Sequence, residues 1–283
     1  MASYGIPYMG SKDSIVHKIA KLFPAADNFY DLFGGGFSVS HFMLCHHAKR
    51  YKRIFYNEPA PGVADLVRDA VAGKYNYKVF KPKWISAEEF KKNKDNCAYT
   101  RCLWSFGNNQ KGYLFSDENE TNKRSLHQAV VFNEFDERAI DYLKIKSWPA
   151  HLSIRGRRLA CRQIIVRRKG ELQQLEQLER LQQLEISNQS YDEIQILPNA
   201  VIYCDPPYKN TAGYLGSFNH EKFWTWVRVQ TEPVFVSEYT APADIKVLMA
   251  VNKKTRLSAK GMTDAPPEKV FGNEAAAKVV FAS

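Results

Sequence analysis

The sequence predicts an α/β fold, in which helices cover a mainly parallel sheet and a lobe of helices and loops is inserted into the core. Strand and helix patterns alternate within about 30 residues near the N-terminus, as in a βαβ unit, and this implies parallel strands. The alternation returns in the C-terminal third, whereas residues 75–170 lose it and gain Lys, Asn, Trp and Tyr. With 283 residues, 45% of them hydrophobic, the chain can form a large core plus a lobe.

The N-terminal unit begins with the apolar run Asn28–Phe33, a strand pattern that ends at three glycines, Gly34–Gly36. Ser38 is a suitable N-cap for a helix over Val39–Lys49, which has apolar side chains at helical spacing. A second strand and a second helix are predicted at Arg53–Asn57 and Val63–Val71.

The C-terminal third begins with the buried-strand pattern Ala200–Cys204, which the sequence Asp205-Pro206-Pro207 stops. An aromatic amphipathic helix is predicted at His220–Val229 and a further strand at Pro233–Ser237. We therefore expect residues 1–75 and 176–283 to form one sheet domain that is split in sequence. Residues 76–175 are expected to form the inserted lobe.

Leucines recur at every third position from Leu172 to Leu184, with Gln and Glu between them. In a helix each step of three residues falls about 60° short of a full turn, so these side chains wind around the axis and make no heptad seam. The segment is predicted to be a helix joining the lobe to the core. A low-complexity insertion is the alternative.

The basic charge of the chain is concentrated in its middle. The net charge is +10; residues 74–111 hold nine Lys/Arg against three Asp/Glu, and residues 151–170 hold seven Lys/Arg and no acid. This segregation favours a lobe that binds a polyanion, and a solvated lysine-rich surface is the alternative.

The odd number of five cysteines, without CxxC spacing, argues against a disulfide framework and against a thiolate zinc site. No stretch reaches the roughly 18 apolar residues of a membrane helix, and the first residues lack the apolar region of a signal peptide. We therefore expect a cytoplasmic protein without a membrane association.

The strongest chemical signal is Asp205-Pro206-Pro207-Tyr208 directly after an apolar strand. Open α/β sheets bind their ligands at such strand ends. An aromatic exocyclic amine is a poor nucleophile, and two acceptors on its N–H groups, the Asp205 carboxylate and the Pro206 carbonyl, would free its lone pair for attack on a sulfonium methyl group. The prolines fix the acceptors, and Tyr208 offers a face on which a flipped base can stack. A turn that only stops the strand is the alternative.

The second signal is the turn Asp31–Ser38, whose glycines let the backbone approach a ligand at the N-terminus of a helix. Glu58 follows the second predicted strand and is placed to accept ribose hydroxyls. Nicotinamide and flavin enzymes use similar turns, and a generic glycine loop is also possible. A third block, Pro7–Lys12, is not a phosphate loop, because its order is Gly-Ser-Lys and no apolar strand precedes it.

Together these blocks and the basic middle segment resemble the DNA adenine methylase family, in the arrangement where the target-recognition segment lies between the cofactor motif and the DPPY motif. The resemblance implies a Rossmann-like methyltransferase sheet, S-adenosylmethionine as methyl donor, no metal, and a flipped adenine of double-stranded DNA as acceptor. We expect a monomer. By this likeness the catalytic residues are Asp205, Pro206, Pro207 and Tyr208, and the donor is held by Tyr8, Lys12, Asp31, Phe33, Gly34, Gly35, Glu58 and Ser190.

The segment Arg101–Ser116 resembles the family's recognition region, with polar residues on an aromatic base. Asn and Gln can pair with adenine, and Lys with guanine. The expected DNA contacts are Asn108, Asn109, Gln110, Lys111, Arg155, Arg157, Arg158, Arg167 and Arg168.

Two features depart from the family pattern. The second glycine of its Phe-x-Gly-x-Gly motif is Phe37 here, so this ring must turn away from the donor or donor affinity suffers. The acidic residue that usually precedes the DPPY motif is replaced by Asn188 and Ser190. Methylation of cytosine N4, methylation of RNA or protein glutamine, and a non-catalytic DNA-binding role are the alternative functions.

Overall fold

A computed structural model of the chain describes residues 4–143, 148–160, Leu172, Leu175, Leu178, 181–208, 218–251 and 267–282. The chain divides into two compact units. The sheet unit comprises Gly10–Ala60 and Glu179–Ser283, and the insert unit comprises Met1–Met9 and Pro61–Leu178. The insert unit thus begins at Pro61 rather than at residue 76, and it ends three residues after the expected boundary at residue 175.

Seven strands form one sheet among the described residues of the sheet unit. They are β1 Asn28–Asp31, β2 Arg53–Asn57, β3 Leu184–Ser187, β4 Ala200–Cys204, β5 Val234–Glu238, β6 Lys246–Val251 and β7 Glu268–Gly272. Their order is β3-β2-β1-β4-β5-β7-β6, and every strand is parallel to its neighbours except β7, which is antiparallel to β5 and β6. This is the Rossmann order with one reversed strand between β5 and β6. The predicted α/β fold with a mainly parallel sheet is confirmed.

The described α-helices are α1 Val16–Ile19, α2 Ser38–His46, α3 Val63–Val71, α4 Ala87–Asn93, α5 Ala98–Leu103, α6 Asp117–His127, α7 Glu137–Leu143, α8 Ile154–Ala160, α9 His220–Val229 and α10 Glu274–Phe281. Short 3₁₀-helices lie at Ala48–Arg50, Phe106–Asn108, Leu181–Gln183 and Tyr191–Glu193, and a π-helical turn lies at Gln128–Phe132. None of the helices in the described part of the chain has the length and apolar character needed to cross a membrane.

The centre of the sheet is buried on both faces. Every residue of β1, β4 and β5 is buried, which explains why these strands read as continuous apolar runs in the sequence. Strand β1 lies between β2 and β4, and Asp31 at its end is in register with Tyr203 of β4. The strand order therefore reverses here, because β2 and β3 lie on one side of β1 and β4 lies on the other. Ligands of such sheets bind outside the carboxyl ends of the strands at this switch point.

The helix after the glycines begins differently from the prediction. Ser38 is the first residue of α2 and makes no side-chain cap, and the N-cap is Phe37 in the left-handed conformation (φ 68°). The Ser38 hydroxyl instead accepts a hydrogen bond from the backbone N–H of Lys12 at 3.2 Å. The helix ends at His46, before the predicted Lys49, and a 3₁₀ turn follows it.

The insert unit contains α3 to α8, and among its described residues the only β-pairing is one isolated bridge between Ser105 and Tyr113. Aromatic and aliphatic side chains around the Gln128–Phe132 turn form two small cores. Leu172 and Leu175 are helical and, like Leu178, buried. The predicted helix does not extend to Leu184, which is the first residue of β3.

Candidate active site

The DPPY motif follows β4 at its carboxyl end, where the sequence places it. The side chain of Asp205 is 14% exposed, and its Oδ2 atom lies 2.5 Å from Nζ of Lys12, whose side chain is almost completely buried. A buried ammonium requires acceptors for its protons. Lys12 therefore contacts the carboxylate proposed to bind the acceptor amine, a contact that the resemblance did not imply.

Two further acceptors contact Lys12. Its Nζ atom lies 3.2 Å from Oε1 of Glu268, and it donates a hydrogen bond to the carbonyl oxygen of Gly10 at 3.1 Å. Glu268 is buried and is the first residue of β7, a strand that the sequence did not predict. No motif surrounds Glu268 in the sequence; an isolated acid before a short apolar run was the only available signal.

Tyr208 belongs to the same cluster. Its hydroxyl donates to Oε1 of Glu268 at 2.8 Å, its ring centroid is 5.1 Å from Nζ of Lys12, and the ring of Tyr239 meets it edge to face at 4.9 Å. Burial, together with the nearby charges of Asp205 and Glu268, raises the pKa of Tyr208, so its hydroxyl stays protonated and acts as a donor.

The glycine turn after β1 is packed against β2. A Cβ atom on Gly34 would lie 2.3 Å from the ring of Tyr56, which is fully buried, so only glycine fits there. The Tyr56 hydroxyl donates to the carbonyl oxygen of Gly35 at 2.7 Å, and Gly35 has a left-handed backbone (φ 49°). Gly34 and Gly35 are also half-buried, whereas the residues on either side of them are buried. These contacts hold the turn in one conformation, and a ligand can reach its backbone at these two glycines.

Glu58 and Asn57 hold this turn from the end of β2. Glu58 accepts from the backbone N–H of Gly35 at 2.7 Å with one oxygen and from that of Ala60 at 2.8 Å with the other. The Asn57 side chain donates to the carbonyl oxygens of Leu32 and Gln189. Asn57 thereby joins the turn to the loop after β3, a role that the sequence analysis missed because a lone Asn at a strand end carries no distinctive signal.

Asp31 is the most deeply buried acid of the site. Its Oδ2 atom accepts from the backbone N–H and the hydroxyl of Ser40, at 3.2 and 2.7 Å, at the N-terminus of α2. Its Oδ1 atom is buried and accepts no hydrogen bond from the described residues. Burial raises the pKa of Asp31 to about 7, although the hydrogen bonds from Ser40 oppose the shift.

Phe33 and Ser190 lie beside one aromatic cluster. The ring of Phe33 lies 5.4 Å from that of Tyr191 and also contacts the rings of Phe218 and Phe223. Ser190 is the N-cap of Tyr191–Glu193, and its hydroxyl donates to Asp192. Of the expected donor-binding residues, Tyr8 alone belongs to the insert unit, where it is buried.

Phe37 turns its ring into the core, as required by the sequence analysis. The ring is fully buried and lies edge to face with Tyr56 at 5.0 Å and parallel to His41 at 6.0 Å. The left-handed backbone at this position explains why a glycine suits it in the family pattern.

The expected recognition segment forms a closed loop over residues 106–112. Oδ1 of Asn109 accepts from the backbone N–H groups of Lys111 and Gly112, at 2.9 and 3.0 Å, and Oε1 of Gln110 accepts from Nε of Arg101 at 3.0 Å. The side-chain oxygens of Asn109 and Gln110 thus hold the loop rather than serving as open polar tips. Lys111 is exposed, Asn108 is half-buried, and Phe106 is 62% exposed at the start of the loop.

The three described arginines among the expected DNA contacts differ in exposure. Arg155 is exposed and Arg158 is half-buried. Arg157 is buried, and its guanidinium donates to the carbonyl oxygens of Val130, Val131 and Leu152, so the structure corrects its assignment from a DNA contact to a structural side chain. Arg167 and Arg168 lie outside the described residues.

Comparison with known proteins adds no assignment: no protein-family model matches the chain, and no curated protein sequence does so either. Within the described ranges, no group of three or more His, Cys, Asp or Glu side chains is arranged to hold a metal ion.

Proposed function

We propose that the protein transfers a methyl group from S-adenosylmethionine to the N6 amine of adenine in double-stranded DNA. One observation carries the proposal: Asp205-Pro206-Pro207-Tyr208 and the glycine turn Gly34–Gly36 follow β4 and β1, which are adjacent parallel strands at the switch point of the sheet. An acceptor site and a donor site at these two strand ends would adjoin each other, as direct transfer between two bound substrates requires.

The residues after β1 and β2 fit the donor. The buried Oδ1 atom of Asp31, which receives no hydrogen bond from the described residues, suits an ammonium group. Each oxygen of Glu58 accepts one backbone N–H, and a carboxylate oxygen can accept from a second donor such as a ribose hydroxyl. Gly34 and Gly35 let the backbone approach the ligand closely. When bound, the donor would supply an electrophilic methyl group on a sulfonium.

The residues after β4 fit the acceptor amine. The Asp205 carboxylate has four lone-pair positions, so it can accept from Lys12 and also from one amine N–H. The carbonyl of Pro206 is the acceptor for the second N–H, and the ring of Tyr208 is the stacking surface. Lys12 gives the Asp205 carboxylate a cationic partner, and an ionised carboxylate is a stronger acceptor than a neutral one.

The charge of the insert unit supports DNA as the acceptor. This unit holds 22 Lys/Arg against 14 Asp/Glu and so carries +8 of the net charge of +10. Its loop over residues 106–112 presents an exposed aromatic ring and the exposed Lys111, the combination that stacks on bases and contacts phosphates.

Incubation with isotope-labelled S-adenosylmethionine and separate DNA, RNA and protein acceptors, followed by mass spectrometry of the nucleosides and peptides, tests the proposal. We expect N6-methyladenine in DNA as the product. The variant Asp205→Asn, which keeps the shape of the side chain but removes its charge, should lower the rate by about 100-fold or more. Asp27→Asn, at an exposed ion pair of the same unit, is the matched control and should leave the rate unchanged.

Three results contradict the proposal in different ways. Product limited to N4-methylcytosine or to RNA would refute the acceptor, and normal transfer by Asp205→Asn would refute the role of the DPPY motif. Donor and DNA binding without any transfer would indicate a non-catalytic protein.

A further inference from the structure

Glu268, to which the resemblance assigns no role, contacts two residues to which it does assign roles, Lys12 and Tyr208. Its Oε1 atom accepts from the Tyr208 hydroxyl at 2.8 Å and lies 3.2 Å from Nζ of Lys12. Glu268 is 3% exposed, and an ionised side chain at this depth is retained only where its partners compensate the cost of burial. Tyr208 belongs to the DPPY motif and Lys12 contacts Asp205 of that motif, so Glu268 is coupled to the proposed acceptor site.

The network places one cation between two carboxylates. Nζ of Lys12 is 2.5 Å from Asp205 and 3.2 Å from Glu268, and the three groups together carry a charge of −1 when ionised. If Asp205 were the only carboxylate beside Lys12, the two charges would cancel, and the acceptor amine would face an ion pair without net charge. Because Glu268 shares the cation, Asp205 keeps net negative charge for the amine.

The same oxygen of Glu268 also fixes the orientation of Tyr208. A single atom thus sets the position of the ammonium beside Asp205 and the position of the ring on which the base would stack. Displacing a reacting group by about 1 Å can lower a rate about 100-fold, so this double contact is consequential for transfer.

We propose that Glu268 is a positioning residue for amine methylation, which shares Lys12 with Asp205 so that Asp205 can accept from the amine, and which holds Tyr208 in place. This inference rests on the proposed function. Among the described residues, the charged and titratable groups near Lys12 include Asp205 and Glu268 in contact with it and Tyr208 and Tyr239 beside it. Asp31, Tyr203 and Cys204 lie near Asp205.

The variant Glu268→Gln tests the charge of this residue, since Gln can still accept from the Tyr208 hydroxyl. We expect kcat to fall about tenfold or more with an unchanged Kd for the methyl donor in calorimetry. The alkaline limb of the kcat profile should move to lower pH, because Lys12 loses one of its two carboxylates and gives up its proton more easily. Glu274→Gln, at an exposed ion pair of α10, is the matched control and should behave as the wild type.

Glu268→Asp provides the rescue arm. It keeps the charge but shortens the side chain, so its alkaline limb should stay at the wild-type pH while kcat falls through the loss of the Tyr208 contact. A readout without turnover comes from NMR titration of ¹³C-labelled lysine, with the Lys12 signal assigned through Lys12→Arg. Lys12 should titrate at lower pH in Glu268→Gln than in the wild type.

The outcomes separate this inference from the proposed function. Wild-type activity on DNA together with a wild-type kcat and pH profile for Glu268→Gln would overturn the role of Glu268 alone. An inactive wild type on every acceptor would overturn the proposed function. In that case, an unchanged Lys12 titration in Glu268→Gln would overturn the charge sharing as well.

Discussion

Asp31 and Asp205 are carboxylates at the ends of two adjacent strands, yet their surroundings differ. Asp31 is fully buried beside Ser40 and has a pKa raised to about 7, whereas Asp205 is paired with the ammonium of Lys12. Environments that separate two carboxylates in this way allow them to take different roles in one site. Asp31 suits a cationic ligand group, and Asp205 suits an N–H donor.

The buried Asp31 predicts a pH dependence of stability. Its pKa is higher in the folded state (about 7) than in the unfolded state (3.8), so the folded protein binds more protons between these values, and the free energy of unfolding falls as pH rises through that window. The loss is on the order of 4 kcal/mol for an isolated group. Asp31→Asn should remove this contribution, as measured by denaturant titrations between about pH 5 and 8.

The comparison uses the difference in unfolding free energy between the variant and the wild type. Asp31→Asn should gain stability relative to the wild type as pH rises, whereas the exposed Asp27→Asn should show a constant difference. A constant difference for Asp31→Asn too would mean that Asp31 is ionised throughout this pH range.

Phe37 shows how packing can outweigh backbone strain at one residue. A left-handed backbone costs a non-glycine residue roughly 1–2 kcal/mol. Removing a buried phenylalanine ring costs about 3–5 kcal/mol. The ring contacts with Tyr56 and His41 therefore exceed the strain, and Phe37 is compatible with a turn that suits glycine.

At the scale of elements, the turn between β1 and α2 depends on contact between Gly34 and the Tyr56 ring. Gly34→Ala would force this ring to move and break its hydrogen bond to Gly35. We expect a loss of about 1–3 kcal/mol in unfolding free energy and weaker donor binding in calorimetry. Gly112→Ala is the control, since its added methyl group would lie 3.7 Å from the nearest atom. Equal stability of the two variants would show that the turn adapts.

Two arginines of α8, one packed on the π-helical turn and one exposed, are expected to differ in their effects on stability and on DNA binding. Arg157 donates to the carbonyls of Val130, Val131 and Leu152, whereas Arg155 on the same helix is exposed. Arg157→Gln should lower the unfolding free energy by about 3 kcal/mol, because buried carbonyls lose a charged donor. Arg155→Gln should leave stability unchanged and weaken DNA binding. Unfolding and DNA titrations of both variants test this, and reversed effects would contradict it.

At the scale of the whole molecule, the segregated charge predicts how DNA binding depends on salt. Each phosphate contact contributes about −0.9 to the slope of log K against log salt concentration. Replacing four exposed lysines of the insert unit by Gln should make the slope shallower by up to about 3.6. These residues are Lys83, Lys91, Lys92 and Lys111.

Exposed lysines of the sheet unit provide the control for this measurement. Replacing them by Gln should change the slope less, although the total charge changes equally. They are Lys18, Lys21, Lys49 and Lys52. Equal changes in slope for the two sets would indicate non-specific attraction by net charge and would argue against a DNA surface on the insert unit.

The sequence by itself predicted the elements that build the switch point. Strands β1, β2, β4 and β5 were predicted within two residues at each end, because β1, β4 and β5 are buried throughout and β2 is buried at three of its five residues. The short strand β3 at the sheet edge was missed, as were β6 and β7. The edge strands β3 and β6 are only partly buried along most of their length, so their sequence patterns are weak. Strand β7 is an inner strand with four of five residues buried, but its apolar run is only Val270-Phe271, which is too short to predict a strand.

Only the tertiary structure decided which side chains meet. Lys12, Asp205 and Glu268 come from three distant parts of the chain, and their contact depends on the reversed strand β7 lying between β5 and β6. The burial of Arg157 and the inward ring of Phe37 likewise follow from packing around them. A sequence pattern records local periodicity and motif chemistry, whereas pairing between distant groups is set by strand order and burial, which no local pattern contains.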